Sequence, residues 1–224
     1  MNSALKIDFV SDVVCPWCAI GLAGLNIALE RLDPETHVDF TVHPFELNPG
    51  MPPAGQAQLE HITEKYGISA DQARVNREQI RARAAAVGFT MNRDDTSRVY
   101  NTFDAHRMLA WAKEKNAQAA LKQVLLKAYF TDGKNISDTT VLAGLAAQAG
   151  LDGAEAREVL ASDRFAQEVK EEEALWAQRG ISSVPAVIVN DRYLISGGQP
   201  PEVFEEQLRA ILASDEIAIP HRGG

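Results

Sequence analysis

The feature that most constrains the fold of this chain is a pair of cysteines at the point where a predicted strand passes into a predicted helix. The two cysteines of the 224 residues lie in the segment Cys15-Pro16-Trp17-Cys18. Directly before the pair, residues 4–10 form an apolar run with the alternation of a strand. Apolar side chains at helical spacing follow it, so a helix is predicted over residues 17–32. Both thiols are therefore expected at a strand-to-helix junction.

This position has a chemical consequence for Cys15. Pro16 suits the first position of a helix, where its missing N–H costs nothing, so Cys15 falls near the N-cap. A thiolate there faces unpaired backbone N–H groups and the positive end of the helix dipole, which lower the thiol pKa. Cys18, one turn further on, is placed to resolve a mixed disulfide formed by Cys15. The pattern predicts a redox-active dithiol, with Cys15 as nucleophile and Cys18 as resolving thiol.

Strand patterns occur at both ends of the chain, and helical patterns fill the middle. Residues 38–42 alternate apolar with polar side chains, and near the C-terminal end two short apolar runs flank an Asn190-Asp191 turn, which is typical of a β-hairpin. Neither end has enough strands for a stable sheet alone, so the two ends must pair. We therefore predict an α/β domain built from residues 1–55 and 179–215. A helical domain over residues 56–178 is inserted into it.

Local signals predict where the helices of the middle begin. Ser69 with Gln72 forms a capping-box pattern before a helix that ends near Val87. Asp94 to Thr96 are predicted to open a helix that runs to Lys115. Further starts are predicted at Ser137 or Asp138, at Asp152 and at Arg164. The acidic run over residues 171–173 is interpreted as a solvated helix face.

Charge and composition exclude several classes of function. The net charge is −9 and the sequence pI is about 5.1, which argues against nucleic-acid and anionic-membrane partners. There is no apolar run of about 18 residues, so no membrane span is expected. No signal-peptide pattern is visible, and the expected compartment is the cytoplasm. Structural disulfides are rare there, which favours redox work or metal binding for a close cysteine pair.

An ordered set of motifs resembles a known family. The motifs are Asp12-Val13-Val14-Cys15-Pro16-Trp17-Cys18 with Ile20-Gly21, Pro44-Phe45-Glu46-Leu47-Asn48-Pro49, Asn101-Thr102 with Ala105-His106-Arg107, and Ser196-Gly197-Gly198-Gln199-Pro200. Together with the element order, they look like the DsbA-like disulfide oxidoreductases and, more narrowly, their FrnE-like dithiol-disulfide isomerase branch. The resemblance implies an α/β, thioredoxin-like fold with an inserted all-helical domain. It also implies a thiol-disulfide oxidoreductase or disulfide isomerase acting on thiols and disulfides of proteins or small molecules.

The resemblance implies a substrate-binding role for three residues. In thioredoxin-like proteins the proline that matches Pro185 follows a cis peptide bond and faces the cysteine pair. The residue before it, here Val184, then offers its free backbone groups to an extended substrate by β-augmentation. From the residues alone, a trans proline at the start of a strand would be favoured. Trp17 is expected to stay partly exposed and to shape the substrate surface.

Four further residues are candidates for supporting roles near the cysteines. Glu46, at the end of the second strand, is either a surface carboxylate, the commoner outcome, or the base that takes the Cys18 proton. His106 lies in an apolar helical register, where a hydrogen-bonded, partly buried histidine is the usual finding. Asn101 and Arg107 would ordinarily belong to a solvated helix surface. The family likeness of their surroundings makes a role beside the thiols an equal alternative for all three.

Two other functions remain open from the sequence. His37 and His43 follow the cysteines in a possible zinc-ligand pattern, but the gap of 18 residues exceeds the usual finger spacing, so no metal is expected. A non-catalytic peptide-binding module belongs to the same alternative. The other is a glutathione-dependent isomerase or transferase on a small aromatic substrate, like 2-hydroxychromene-2-carboxylate isomerase. That branch typically carries serine where this chain has Cys15, and it lacks a resolving thiol.

The expected partners follow from the favoured function, a thiol-disulfide oxidoreductase. No tightly bound cofactor is expected, and glutathione is a candidate exchange partner for the dithiol. The substrates are expected to be thiols or disulfides, with no nucleic acid and no membrane involved. The chain is expected to work as a monomer or a homodimer.

Overall fold

Strands and helices follow one another in the computed structural model, which describes residues 4–52 and 54–218, with side chains as far as residue 214. In chain order the elements are β1 (Ala4–Ser11), α1 (Pro16–Glu30), β2 (His37–Pro44), β3 (Gln56–Ala57), α2 (Gln58–Tyr66), α3 (Ala70–Ala86), β4 (Arg98–Val99), α4 (Phe103–Glu114), α5 (Gln118–Phe130), α6 (Thr139–Gln148), α7 (Gly153–Leu160), α8 (Ala166–Gln178), β5 (Ala186–Val189), β6 (Tyr193–Ser196) and α9 (Pro201–Ala218). Helices α2 to α8 therefore lie between the strands of the two chain ends.

Strands from both ends of the chain pair in one mixed sheet, in the order β2-β1-β5-β6. β1 runs parallel to β2, with Ala4 opposite His37, and antiparallel to β5, with Ile7 opposite Val189. β1 is central and apolar because helices cover both faces of the sheet; Phe9, for example, is fully buried. This confirms the predicted α/β, thioredoxin-like fold.

The C-terminal hairpin brings the chain back to helix α1. Asn190 and Asp191 have positive φ values of 53° and 54°, and the Arg192 N–H donates to the Val189 carbonyl oxygen at 3.1 Å, which closes a tight turn in the three-residue connection between β5 and β6. After β6, the backbone passes so close to α1 that a Cβ on Gly198 would lie 2.7 Å from the carbonyl oxygen of Trp17. Glycine at position 198 therefore lets the loop after β6 lie directly against the cysteine-bearing turn.

Most of the predicted helix starts are confirmed. The side chain of Ser69 accepts a hydrogen bond from the Gln72 backbone N–H at the start of α3. Asp138 accepts from two backbone N–H groups at the start of α6, and Asp152 does the same at the start of α7. Each carboxylate or hydroxyl satisfies donors that the first turn of a helix leaves unpaired.

The predicted start at Asp94 is wrong. The Asp94 carboxylate accepts from the backbone N–H and the hydroxyl of Thr96, which closes a turn. The chain then enters β4, which pairs with β3, and α4 begins only after Thr102. An aspartate side chain that accepts from the backbone N–H two residues later can close a turn as well as cap a helix. The strands β3 and β4 have two residues each, which is too short to produce an alternating pattern in the sequence.

The core runs continuously from the sheet into the helices. Fully buried side chains such as Ile7, Leu25, Trp111 and Leu125 belong to one cluster that joins β1, α1, α4 and α5. The predicted division into residues 1–55 with 179–215 and residues 56–178 stays a prediction. Residues 1–3, 53 and 215, which belong to these ranges, lie outside the fully described part of the chain. Among the described residues, no helix has the length and apolar character that crossing a bilayer requires.

Candidate active site

The cysteine pair lies where β1 ends and α1 begins, as predicted. Cys15 is the N-cap residue of α1, with φ −84° and ψ 114°, and Pro16 occupies the first turn. The backbone N–H groups of Cys18 and Ala19 donate to the Cys15 carbonyl oxygen, at 3.1 and 3.3 Å. Both cysteines are free thiols, so the structure holds the reduced, dithiol form.

The surroundings of Cys15 favour its thiolate. In the thiol form its side chain donates to the Val184 carbonyl oxygen at 3.7 Å, a bond that the thiolate does not make, and the residue is 3% exposed. A hydrogen bond from the Cys18 thiol, helped by the backbone N–H groups of Cys18 and Trp17, outweighs the cost of burial and lowers the pKa of Cys15 below its ordinary value. The direction of this shift agrees with the prediction from the sequence.

Cys18 has the opposite character. It is fully buried, and burial, followed by its interaction with Cys15, raises the pKa of the Cys18 thiol well above its ordinary value. The two sulfurs therefore differ chemically. Cys15 is suited to attack, and Cys18 holds its proton until a base removes it.

The loop before β5 faces the thiols. The Val184-Pro185 bond is cis, as the family resemblance implied. A Cβ on Gly21 of α1 would lie 3.1 Å from Cγ of Pro185, so the loop and the helix are in close contact. Trp17 is 40% exposed beside them, which agrees with its expected position at the surface. The structure thus brings Cys15, Trp17 and Val184 to one site.

Three charged or polar side chains are buried beneath this site. The Asp12 carboxylate accepts from the Leu47 backbone N–H at 2.8 Å and lies 3.4 Å from His106 Nε2. Burial alone would raise the pKa of Asp12, but His106 and Lys122 bring it below its ordinary value. Burial lowers the pKa of Lys122, while the negative charge of Cys18 and of Asp12 opposes that shift.

Lys122 is the functional candidate that the sequence analysis missed. It is fully buried, and its ammonium group has no hydrogen-bond partner among the described residues. A signal was present: Lys122, Leu125, Leu126 and Tyr129 have the i, i+3, i+4, i+7 spacing of one helix face. A lysine inside such a face is rarely buried without a reason.

Of the four predicted supporting residues, three contact one another or the buried groups beneath the site, and the fourth, Arg107, does not do so among the described residues. Glu46 is half-buried and accepts from Asn101 at 3.5 Å; burial, with the nearby carboxylates of Glu173 and Asp12, raises the pKa of Glu46 to about 7. His106 contacts the site through Asp12. Arg107 instead donates to the Asp104 carboxylate and to backbone oxygens of residues 159–164, so it links α4 to the chain around the end of α7.

The zinc-ligand pattern, which the sequence did not favour, gains no support from the structure, and the interpretation of the acidic run as a solvated face is wrong in part. His43 lies between two carboxylates, with Nε2 2.7 Å from Asp8 and Nδ1 2.6 Å from Glu172, so its ring is engaged away from the cysteines. In the part of the chain that the structure describes, no three His, Cys, Asp or Glu side chains are arranged to hold a metal ion. The acidic run at 171–173 is also not a purely solvated face, because Glu172 bonds His43 and Glu173 is half-buried.

A cavity of about 670 Å³ opens beside the thiols. Cys15, Trp17 and Val184 form one side of it, and apolar side chains of α2 and α3, such as Leu59 and Ile80, form another. Its volume falls in the range of about 300–1,000 Å³ that is usual for small-molecule sites. Cys15 therefore lines a space of the size that is usual for small-molecule sites.

Comparison with known proteins agrees with this geometry. Crystallographic coordinates of a probable DsbA oxidoreductase, SCO1869 of Streptomyces coelicolor, superpose with a TM-score of 0.88 at 35% identity, covering 93% of this chain and 90% of that one. The uncharacterised protein YwbO of Bacillus subtilis is 28% identical over 206 residues, which is 91% of this chain and 96% of YwbO.

A more distant structure shares the fold. The cytosolic disulfide reductase DsbM of Pseudomonas aeruginosa, solved with glutathione, has a TM-score of 0.64 at 19% identity, covering 93% of this chain and 99% of DsbM. The model of the DSBA-like thioredoxin domain matches residues 6–209 of this chain. The protein therefore belongs to the DSBA-like thioredoxin domain family.

Proposed function

We propose that this protein is a thiol-disulfide oxidoreductase with disulfide isomerase activity, in which Cys15 attacks and Cys18 resolves. The observation that carries the proposal is the chemical difference between the two sulfurs. Cys15 caps a helix and has a lowered thiol pKa, whereas Cys18 is fully buried and has a raised one. Such a pair suits two successive exchange steps. Membership of the FrnE-like branch is part of the same proposal.

The reaction proceeds through a mixed disulfide. The Cys15 thiolate attacks one sulfur of a substrate disulfide, forms a bond to it and expels the other sulfur as a thiolate, which takes up a proton. Cys18 then loses its proton and attacks the Cys15 sulfur, which releases the second substrate thiolate. Two electrons pass from the enzyme to the substrate, and the Cys15–Cys18 disulfide remains. The reverse sequence oxidises a substrate dithiol. In isomerisation, a different cysteine thiolate of the substrate attacks the substrate sulfur of the mixed disulfide and expels Cys15 as the thiolate.

Glu46 is the proposed acceptor of the Cys18 proton. A base works best when its pKa lies near the working pH, and the pKa of Glu46 is about 7. Asp12 and Lys122 are positioning residues in this scheme. The Lys122 ammonium group and the Asp12 backbone both lower the pKa of Cys18 and so stabilise the thiolate that forms there, whereas the charge of the Asp12 carboxylate raises the pKa of Cys15.

The proposed substrates are thiols and disulfides, with glutathione as an exchange partner. The Val184 backbone, whose carbonyl oxygen lies 3.7 Å from the Cys15 sulfur, is the proposed site at which an extended substrate bonds, and this contact supports the proposal. The fold neighbour DsbM is a cytosolic disulfide reductase solved with glutathione, which supports both this exchange partner and a cytoplasmic location.

Substitution of each cysteine tests the proposal. Cys15→Ser is expected to abolish reduction and isomerisation of a test disulfide, and Cys18→Ser to accumulate mixed disulfides visible by mass spectrometry. Activity retained by Cys15→Ser would overturn the mechanism. Full glutathione-dependent isomerisation of an aromatic substrate by Cys18→Ser would favour the isomerase alternative instead.

A further inference from the structure

We propose that the cavity beside Cys15 contains a carboxylate-binding subsite, so that the preferred substrates are low-molecular-weight disulfides with an apolar body and an anionic end. Lys65 and Arg93 are the residues that recognise the carboxylate. The inference rests on the proposed function, because it assigns the substrate class of the same cysteine pair.

The charge of the cavity is opposite to that of the protein. The chain has a net charge of −9, yet Lys65, Arg77, Arg81 and Arg93 all line the cavity, and none of its described lining residues is acidic. A concave site lined by one sign of charge concentrates ligands of the other sign. The cavity therefore attracts anions, although the net negative charge of the whole protein repels them.

Two of these cations already have carboxylate partners. Arg77 lies 2.8 Å from Asp95, and Arg81 lies 2.9 Å from Glu78. Their charges are therefore largely compensated within the protein. A ligand carboxylate gains less from these two guanidinium groups than from a cation without a partner.

Lys65 and Arg93 have no carboxylate within 4.0 Å among the described residues. The Lys65 ammonium group donates to the Leu47 carbonyl at 3.0 Å and to the Asn48 side chain at 2.7 Å. The Arg93 guanidinium donates to backbone oxygens and to the Tyr129 hydroxyl at 3.0 Å, and it lies over the Tyr129 ring. All these acceptors are neutral, so both positive charges remain available to an anion.

Arg93 also has an unused donor. The residue is only 4% exposed, and its Nε–H has no hydrogen-bond partner among the described residues. Buried donors in folded proteins are almost always bonded, and an exception calls for an explanation. Gln58, another lining residue, has a buried carbonyl oxygen that is likewise unbonded. A ligand that carries a carboxylate and a neighbouring N–H or O–H group would satisfy both.

The apolar residues that line the rest of the cavity determine which kind of substrate body binds beside the carboxylate. Leu59, Ile62, Ile68 and Ile80 line it, so an aromatic or aliphatic body is favoured. Its volume of about 670 Å³ suits a small molecule rather than a folded protein partner. A disulfide held by its carboxylate at Lys65 and Arg93 presents its sulfur in the same space as Cys15.

The test compares two aromatic disulfides that differ in charge. Reduced protein is mixed in a stopped-flow instrument with 5,5′-dithiobis(2-nitrobenzoate), a dicarboxylate, or with neutral 4,4′-dithiodipyridine. We expect Lys65→Met and Arg93→Met each to slow the dicarboxylate reaction about tenfold or more, and the neutral one less than about twofold. Differences in leaving group cancel, because each variant is compared with the wild type on the same disulfide. The control Lys127→Met removes a surface cation outside this cavity and should change neither rate.

The outcomes separate this inference from the proposed function. Equal effects of Lys65→Met on the two disulfides would overturn the subsite and leave the dithiol mechanism intact. Turnover by Cys15→Ser would overturn the mechanism itself. If Arg93→Met does not fold, Lys65→Met and the salt dependence decide the matter. High salt should slow the dicarboxylate reaction of the wild type and leave the neutral one nearly unchanged, and an equal salt effect on both would overturn the subsite. If Lys65→Met slows the reaction with an acidic peptide disulfide at least as much as the reaction with the dicarboxylate, each relative to the wild type, the assignment to small molecules is overturned.

Discussion

Lys122 shows how one buried side chain adjusts the chemistry of the cysteine pair. Its ammonium group is fully buried, lacks a hydrogen-bond partner among the described residues, and interacts with the charges of Cys18, Asp12 and Cys15. Lys122→Met removes the positive charge that stabilises a thiolate while keeping an apolar chain of similar length. The dithiol form then becomes less favourable relative to the disulfide.

We therefore expect Lys122→Met to shift the reduction potential by about −30 mV, because a loss of about 1.4 kcal/mol corresponds to that value for a two-electron couple. Equilibration with glutathione redox buffers measures the shift. The variant should also show a higher apparent pKa for the reaction of Cys15 with iodoacetamide. Lys113→Met, on the neighbouring helix and away from the pair, is the matched control. An unchanged potential would mean that Lys122 has a purely structural role.

Glu46 gives the site a pH-dependent contribution to stability. Its pKa is about 7 in the folded protein, above the ordinary 4.5, because of burial and of the nearby carboxylates of Glu173 and Asp12. Between these two values the folded protein keeps a proton that the unfolded chain has lost. The stabilisation is complete below pH 4.5 and disappears as the pH rises through 7.

Glu46→Gln is expected to remove this pH dependence. Because Glu46 is only half-buried, we expect the wild type to lose about 1–2 kcal/mol from this group between these pH values. The variant should lack that decline in urea unfolding experiments at a series of pH values. Glu30→Gln, at an exposed position on α1, should keep it. If Glu46→Gln still loses stability over this pH range, another titrating group must cause the loss.

At the residue scale, local sequence predicts only part of this site. Cys15 and Cys18 are recognised because the strand, the proline and the helix that position them are neighbours in the chain. Cys18 acquires its raised pKa from burial by distant elements. The contacts of Lys122 and Arg107 likewise depend on how α4 and α5 pack, which helical periodicity alone does not specify.

At the element scale, β2 and α8 are joined by a buried histidine. His43 on β2 bonds Glu172 on α8 at 2.6 Å and Asp8 on β1 at 2.7 Å, and its ring lies 4.8 Å from that of Trp176. Removal of Glu172 leaves a ring nitrogen of His43 without its partner at a largely buried interface. A lost partner at such a site typically costs about 1–3 kcal/mol.

Glu172→Ala is therefore expected to lower the free energy of unfolding by about 1–3 kcal/mol. The neighbouring Glu171 is exposed and, among the described residues, accepts a hydrogen bond from Gln167 on its own helix. Glu171→Ala should cost no more than about 0.5 kcal/mol, and it is the natural control. Urea unfolding of both variants makes the comparison. Equal effects of the two substitutions would show that the histidine contact does not hold α8 to the sheet.

The same histidine explains one failure of prediction from sequence. A run of three glutamates on a helix normally indicates a solvated face. Here the face is turned toward β2, and Glu172 finds a partner that lies 129 positions away in the chain. Helix starts at Ser69, Asp138 and Asp152 were predictable because a cap bonds to its own following residues. Asp94 shows the limit of that rule, since the same local bond closes a turn.

At the scale of the whole molecule, pairing of the two chain ends creates the active site. β1 carries the cysteine turn, and β5 begins directly after the cis Val184-Pro185 bond; the antiparallel pairing of the two strands brings Val184 to Cys15. This topology could be predicted, because strands at both ends need partners. The cavity could not, because it forms between α2, α3 and the thioredoxin-like part of the molecule.

The thiols also couple the stability of the whole molecule to its redox state. The pKa of Cys15 lies below its ordinary value of 9.0, so ionisation of this thiol favours the folded, reduced protein. That contribution is present above pH 9.0 and is lost as the pH falls through the lower pKa of the folded state. The pKa of Cys18 is raised, so above its ordinary value of 9.0 its ionisation favours unfolding. The two effects oppose each other only at high pH.

We therefore expect the stability of the reduced protein, relative to the disulfide form, to rise with pH up to about 9 and then to level off or fall. The disulfide form has no titrating thiol at this site, so it serves as the internal reference. Guanidinium unfolding of both forms across this pH range measures the difference. Cys15→Ala should lose the rise and keep the decline, because only Cys18 then titrates. A flat difference in the wild type would contradict a stabilised Cys15 thiolate, since a lowered pKa in the folded state must appear as pH-dependent stability.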